Sequence, residues 1–346
     1  MKRFFRAWLL VAMAALVLGV AACGDDDDGG GGGGGGGEAQ GESIKAGVVT
    51  DIGGLNDRGF NELANTGRKR AQSELGAETR VLISESNTDY VPSLSSLAQQ
   101  QFDVVISNGF LMADATNTVA ARFPNTNFGI IDYSATLLKD KPKNVEGLIF
   151  KEEEGGYLVG YLAGLWAKDN GAKVVSTVGG QKIPPVDHYI AGFEAGAKKA
   201  YPGVETLSGY SQTFEDQAKC KEIALDQIAQ GSKVVFQVAG NCGLGALDAA
   251  KEKSVQGIGV DKDQSFLGDH ILTSALKKVD DAVFQSMKRT QEGTFKGGAD
   301  VVATVANGGV GIGKISAEGQ KYAEQVKKVR DQIAAGEIKN IPNTVE

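Results

Sequence analysis

DIGGLNDRGFN, residues 51–61, separates two unlike patterns. Before it, residues 44–50 form a short apolar, β-branched run. After it, Phe60, Leu63, Ala64, Gly67 and Ala71 recur at three- and four-residue spacings, the period of a helix. The stretch is therefore the loop of a β-loop-α unit. In open α/β sheets small ligands collect at the carboxyl ends of strands, where loop backbone and helix N-terminus present unpaired N–H groups. Into that place the loop brings two carboxylates, two side-chain amides and one aromatic ring. Gly53 and Gly54 permit a positive φ or a close backbone approach; Asn56 or Asp57 fits equally well as a helix N-cap, and Phe60 as core.

The same alternation continues outward. Strands are expected at 44–50, 80–84, 103–107, 127–131, 173–178, 205–208, 233–238, 255–260 and 271–274, with helical patterns such as 112–122, 155–167, 186–200 and 216–230 between them. Repeated βαβ units imply parallel sheets with crossover helices. A long helix after Phe150 breaks the rhythm, and the strand series restarts at Lys173, so the chain reads as two similar lobes: 43–150 and 151–270. Residues 271–346 are expected to cross back to the first lobe, through a strand at 301–305 and a glycine-rich turn at 308–313, and to end in a C-terminal helix at 317–335. Two lobes joined by crossovers enclose a cleft, the default place for a ligand.

The N-terminus is of another kind. Lys2, Arg3 and Arg6 precede an apolar run at 7–22 that ends in small residues before Cys23, a signal peptide pattern over residues 1–22. Its Val20-Ala21-Ala22-Cys23 ending resembles the lipobox of bacterial lipoproteins, which implies a lipidated Cys23 and an extracytoplasmic chain anchored to the cell membrane. Four aspartates and nine consecutive glycines follow within residues 23–42, a flexible tether with no side chains to build a core.

Composition narrows the function. With 346 residues, 42% of them apolar, the chain is long enough for two cores, and a net charge of −7 without a basic cluster past the leader argues against nucleic acid as a partner. Beyond Cys23 the cysteines are Cys220 and Cys242. In an oxidising compartment such a pair suggests one disulfide, with two buried free thiols as the alternative. Neither cysteine has the companions of a metal site, since His188 and His270 are isolated in sequence; no metal and no cofactor is expected. The segment GGVGIGK, 308–314, has the outline of a phosphate-binding loop, but Ile315 cannot supply the hydroxyl that magnesium needs, and a plain glycine turn is the expectation. No serine sits in a nucleophile elbow. The acidic run Glu152, Glu153 and Glu154 opens a helix whose dipole favours carboxylates, and reads as a solvated first turn.

Further strand exits echo the first: Asp132 after 127–131, the loop VAGNCGLG at 238–245, and IGVDKDQ at 258–264. Together with DIGGLNDRGFN, GFLMADA at 109–115, AGFEAGAKKA at 191–200 and LTSALKKVD at 272–280, these segments resemble the basic membrane protein family, lipid-anchored substrate-binding proteins of ABC importers. The resemblance covers about nine-tenths of the mature chain. It implies a type 1 periplasmic-binding fold of two Rossmann-like lobes, a purine nucleoside as ligand, permease and ATPase subunits as partners, a monomer, and no enzymatic activity. By that resemblance Asp51 and Asn61 contact the ligand, Phe60 stacks on a base, and Asp132 faces the base edge. Phe236 is the opposing ring, and Gly259 and Asp261 lie along the ribose, with Lys277 assisting. Gly59 departs from the family pattern, standing where serine is usual, and Cys242 stands where a glycine or small hydroxyl is. The competing readings are a nucleoside hydrolase holding calcium on Asp51 and Asp57, and a surface sensor or binder of another small polar solute.

Overall fold

The computed structural model describes residues 43–345. The signal peptide, Cys23 and the tether lie outside the described residues. The first lobe carries β1 (Lys45–Val49), α1 (Phe60–Glu74), β2 (Glu78–Leu82), α2 (Tyr90–Gln99), β3 (Val104–Ser107), α3 (Ala113–Arg122), β4 (Asn127–Ile131) and β5 (Val145–Phe150). The chain then crosses through α4 (Glu152–Asp169) into β6 (Val174–Gly179), α5 (Pro184–Ala200), β7 (Glu205–Tyr210), α6 (Gln217–Ala229), β8 (Ser232–Val238), α7 (Gly240–Glu252), β9 (Gln256–Asp261) and β10 (Ile271–Lys277). Its last part comprises α8 (Val279–Gln291), β11 (Asp300–Ala303), β12 (Val310–Ile312) and α9 (Ala323–Ala334).

Two six-stranded sheets result, in the orders β11-β5-β4-β3-β1-β2 and β12-β10-β9-β8-β6-β7. All pairings are parallel except β10 with β12. Their central strands, such as VVIS in β3 and VVSTVG in β6, are buried along their whole length, as expected of parallel strands covered by helices on both faces. Position by position the sheets correspond: β1 with β6, β3 with β8, β4 with β9, β5 with β10.

The part beyond residue 270 corrects the expected division. Strand β10 pairs with β9, and β12 pairs with β10, so both belong to the second sheet; β11 pairs with β5 and belongs to the first. The chain thus passes between the sheets three times, at β5–α4, β10–α8 and β11–β12. The strand β12 lies inside the segment expected to be only a glycine turn; the turn is confined to the residues just before it. Strand β5 was not among the expected strands either. Its sequence VEGLIF places a charged Glu146 in a buried run, and Glu146 is fully buried against Arg289 of α8 at 2.6 Å.

Helices seal the lobes. In α4, Gly156 and Gly160 bring its backbone against α5: a Cβ at either would overlap the carbonyl oxygen of Tyr189 or Phe193. Helix α9 divides its buried face between the two cores, Val326 joining the second lobe and Val329 and Ile333 the first. The structure joins Cys220 of α6 to Cys242 of α7, with Cα atoms 5.6 Å apart.

Candidate functional site

A cavity of about 640 Å³, counted with its open mouth, lies between the carboxyl ends of the two sheets. Its floor on the first-lobe side is the 51–61 loop. Asp57 organises that loop: Oδ1 accepts hydrogen bonds from the N–H groups of Gly59 (3.1 Å) and Glu62 (3.0 Å), and Oδ2 from Asn61 (2.7 Å). Asp57 therefore caps α1, and both of its oxygens are occupied in doing so.

Asn61 is buried and ties the loop to itself. Its Oδ1 accepts from Asp51 N at 3.1 Å and from Asn108 Nδ2 at 2.8 Å, while Nδ2 donates to the carbonyls of Asp51 and Ile52, both at 3.3 Å. Asn61 lines the cavity with its hydrogen bonds already made to the loop backbone and to Asn108 at the β3 exit. Asp51 accepts from the Tyr90 hydroxyl and, at 2.8 Å, from Ile52 N. Burial pushes its carboxyl up to about 6, against the pull of those donors. The neighbouring Gly109, at φ +142°, passes so close that a Cβ there would stand 2.7 Å from Asp51 Oδ2. Only glycine lets the β3 exit close over this carboxylate.

At the far end are two strand-end aspartates. Asp132 follows β4 and Asp261 ends β9, with φ +68° and +63° respectively. Such a left-handed residue turns the chain sharply as it leaves the sheet and aims the side chain into the cleft. The Lys277 ammonium lies 2.7 Å from both oxygens of Asp132 and 2.9 Å from Glu152 Oε1. It also stands 5.2 Å from the Phe60 ring centre and 4.9 Å from that of Phe150. Burial works to lower the Lys277 pKa, but Asp132, Glu152 and Asp261 around it raise it. Asp132 is pushed up to about 7 by burial, with Lys277 opposing. Asp261 is likewise pushed up to about 7 by burial. Among the described residues no hydrogen bond or ion pair reaches the Asp261 carboxylate, and Lys277 acts on it through space.

Glu152 and Glu153 correct the reading of a solvated first turn. They are 1% and 6% exposed, because the start of α4 is the crossover between the lobes and faces Lys277 and α5. Glu152 Oε2 lies 3.1 Å from His188 Nδ1, and Lys151 lies 3.3 Å from Glu153 Oε1. Burial raises the Glu152 carboxyl, but Lys277 and His188 outweigh it and hold it below the usual range. Glu152, Glu153 and His188 offer ligand atoms within 4.8 Å of one another. Each of these carboxylates already has a cationic neighbour, so the cluster is explained as an ion-pair network.

Of the residues expected at the site, Asp51, Phe60, Asn61, Asp132, Asp261 and Lys277 line this one cavity, and two do not. Phe236 is fully buried in the second core, its ring 5.3 Å from Phe193 and 6.0 Å from Tyr189. Strand β8 runs two residues past it to Val238, so Phe236 sits in mid-sheet, opposite Thr177 and Ile258. Gly259 is also mid-strand; a Cβ there would meet Gln264 Oε1 and Ser274 Oγ, both at 2.6 Å, inside the lobe. The rings that do line the cavity beside Phe60 are Phe110, Tyr189 and Phe214. Phe110 follows the β3 exit and Phe214 lies in the loop between β7 and α6. That loop, SQTFED at 211–216, has neither a glycine nor a carboxylate directly after its strand, the features that mark the other exits.

Contacts between the lobes rim the cavity. Lys262 Nζ lies 2.7 Å from Glu62 Oε1, and Gln264 Nε2 donates to the Arg58 carbonyl at 3.1 Å.

The chain is similar to known proteins in sequence and in fold. A nucleoside-binding ABC transporter protein of Lactococcus lactis, BmpA, is 32% identical over 85% of this chain and 88% of its own. A protein of Pyrococcus horikoshii called an uncharacterised lipoprotein is 33% identical over 84% of this chain and 75% of its own. Among solved structures, an ABC transporter solute-binding protein from Aeropyrum pernix K1 superposes with a TM-score of 0.78 at 26% identity. It covers 86% of this chain and 94% of that one. The architecture is the type 1 periplasmic-binding fold. Proteins of this kind bind small molecules and work with permease and ATPase partners; they are not enzymes. Residues 44–343 match the family described as ABC transporter substrate-binding protein, PnrA-like, and the chain belongs to that family, Bmp.

Proposed function

We propose that this protein is a lipid-anchored extracytoplasmic receptor that closes its two lobes on a purine nucleoside, or a closely similar small molecule, and delivers it to an ABC importer. The observation that carries the reading is Asp261: a buried carboxylate with no hydrogen-bond or ion-pair partner among the described residues, lining the same cavity as the Phe60 ring of the other lobe. A carboxylate of that kind suits a pair of vicinal hydroxyls, each donating to one oxygen, while the rings suit a flat heterocycle. Each base–ring stack contributes about 1–3 kcal/mol. The relative from Lactococcus lactis, named as nucleoside-binding, supports the same class. The Cys23 lipobox and the lipoprotein names of relatives support the anchor.

Charge refines the ligand. Asp51, Asp57, Asp132 and Asp261 line the cavity, and Lys277, the one cation among the described lining residues, is held by Asp132 and Glu152. Such a wall repels phosphate and carboxylate groups. Ligand contacts made to both lobes favour the closed form over the open one. Calorimetric titration with inosine, guanosine and adenosine, each beside its 5′-monophosphate, tests this. Nucleosides are expected to bind and monophosphates not; silence with every nucleoside refutes the purine reading.

A further inference from the structure

We propose that the Cys220–Cys242 disulfide positions the Phe214 ring, and thereby sets how tightly the cavity holds an aromatic ligand. The proposal rests on the nucleoside reading for its ligand, but its structural half stands on contacts alone. Phe214 is a cavity ring that no strand or helix carries. Its loop is held at its start by the β6 exit, where Ser211 N and Gln212 N donate to the Gly179 and Gly180 carbonyls at 2.9 and 3.0 Å, and from Phe214 onward by the N-terminus of α7. Cys242 N donates to the Phe214 carbonyl at 2.9 Å, and Asn241 Nδ2 to that of Glu215 at 3.2 Å. Gln217 Nε2 in turn donates to Asn241 Oδ1 at 3.0 Å. The same α7 terminus, Ala239, Gly240 and Asn241, lines the cavity directly.

Behind these contacts the disulfide joins the first turn of α6 to the first turn of α7, both sulfurs fully buried. Residue 242 thus does two things at once: its amide holds the Phe214 carbonyl and its side chain fixes α6, the helix into which the Phe214 loop runs. The ring itself lies on Gly180 at the β6 exit, where any Cβ would overlap it. The opposite face of the loop is tied through Ser211, whose Oγ donates to Thr213 O at 2.9 Å. The covalent link removes the freedom of the two helix starts to separate, and a ring that is already in place need not be ordered when ligand arrives.

The test is a cycle of four proteins: wild type, the C220A/C242A double variant, F214A, and all three substitutions together, each titrated with guanosine. With Phe214 present, loss of the disulfide is expected to weaken binding about tenfold, mainly through faster dissociation. With Phe214→Ala it is expected to change affinity less than twofold. Equal losses in both backgrounds would mean that the disulfide acts on the lobe as a whole, and no loss in either would mean that it does not act on the site; both overturn the proposal. Hydrogen exchange of the unliganded proteins reads the structural half without any ligand. Amides at 211–217 and 240–245 are expected to exchange faster in the double variant while those of β6 and β8 stay protected; uniform acceleration overturns the proposal. If no nucleoside binds even the wild type, the ligand reading falls and the exchange experiment still decides this one. Should the alanine pair fail to fold, wild type reduced with dithiothreitol replaces it, its thiols keeping the packing volume.

Discussion

Asp132 and Asp261 are the same solution reached twice. Each leaves the third strand of its sheet, each turns through the left-handed region, and burial pushes each carboxyl up to about 7. Their surroundings differ. Lys277 sits at the end of β10, the strand beside Asp261, yet its ammonium reaches across to Asp132 in the other lobe. Asp132 is therefore part of the pairing between lobes, whereas Asp261 is left facing the cavity. Two equal backbones thus hold one carboxylate paired with a lysine and one without a hydrogen-bond or ion-pair partner among the described residues, through the direction of one lysine side chain.

Lys277→Met attacks the pairing side of this contrast and is expected to have the largest effect. It strands Asp132 and Glu152 in the interior, which costs about 3–5 kcal/mol. The shift in urea midpoint measures it, and a change under about 1 kcal/mol would show that the lysine is not the keystone of the hinge. Next, Asp132→Asn and Asp261→Asn should separate. Asp132→Asn is expected to destabilise by about 1.5–3 kcal/mol by removing a charged hydrogen-bond partner. Asp261→Asn should leave stability unchanged or raised while weakening nucleoside binding about 10- to 100-fold. Similar denaturation curves for the two variants would break the comparison.

Acidity gives a third, smaller handle. Ligand hydroxyls favour the ionised Asp261, so binding releases a proton from a group that titrates at about 7. Affinity should fall as pH drops from 8 to 6, by at most about tenfold per unit, and the Asp261→Asn protein should be flat over that range. For stability the sign is opposite. A carboxyl raised in the folded state from 3.8 to about 7 favours folding at low pH, an advantage lost as pH climbs to 7. The stability gained by Asp261→Asn should accordingly be larger at pH 8 than at pH 5. The smallest effect is expected at the rim. Lys262→Ala removes a half-exposed ion pair with Glu62 and should alter affinity by less than about fivefold, the difference vanishing in high salt.

Most of the architecture was legible because parallel strands announce themselves as apolar runs between helical periods, as in β1, β4 and β8. Strand β5 was not, since Glu146 reads as surface until Arg289, from the far part of the chain, is folded against it. Strand β12 hid among glycines. In the site, Asp51, Asp132 and Asp261 could be found because a carboxylate just past a strand has one place to go. Phe236 lies within β8 with its ring turned onto Phe193 and Tyr189, a facing that no local pattern encodes, and Phe214 follows a strand exit with neither a glycine nor a carboxylate directly past the strand. The burial of Glu152 depends on Lys277 and His188, whose proximity no local pattern encodes.

The three passages of chain between the sheets have a mechanical meaning. A lone strand would let one lobe swivel, slide and tilt against the other. Three threads between the same two sheets would act instead like the stitched spine of a book, resisting twist and translation and leaving bending as the soft direction. Rigid covers on such a spine would meet along the same line each time they shut, returning Phe60 and Asp261 to the one cavity they both line.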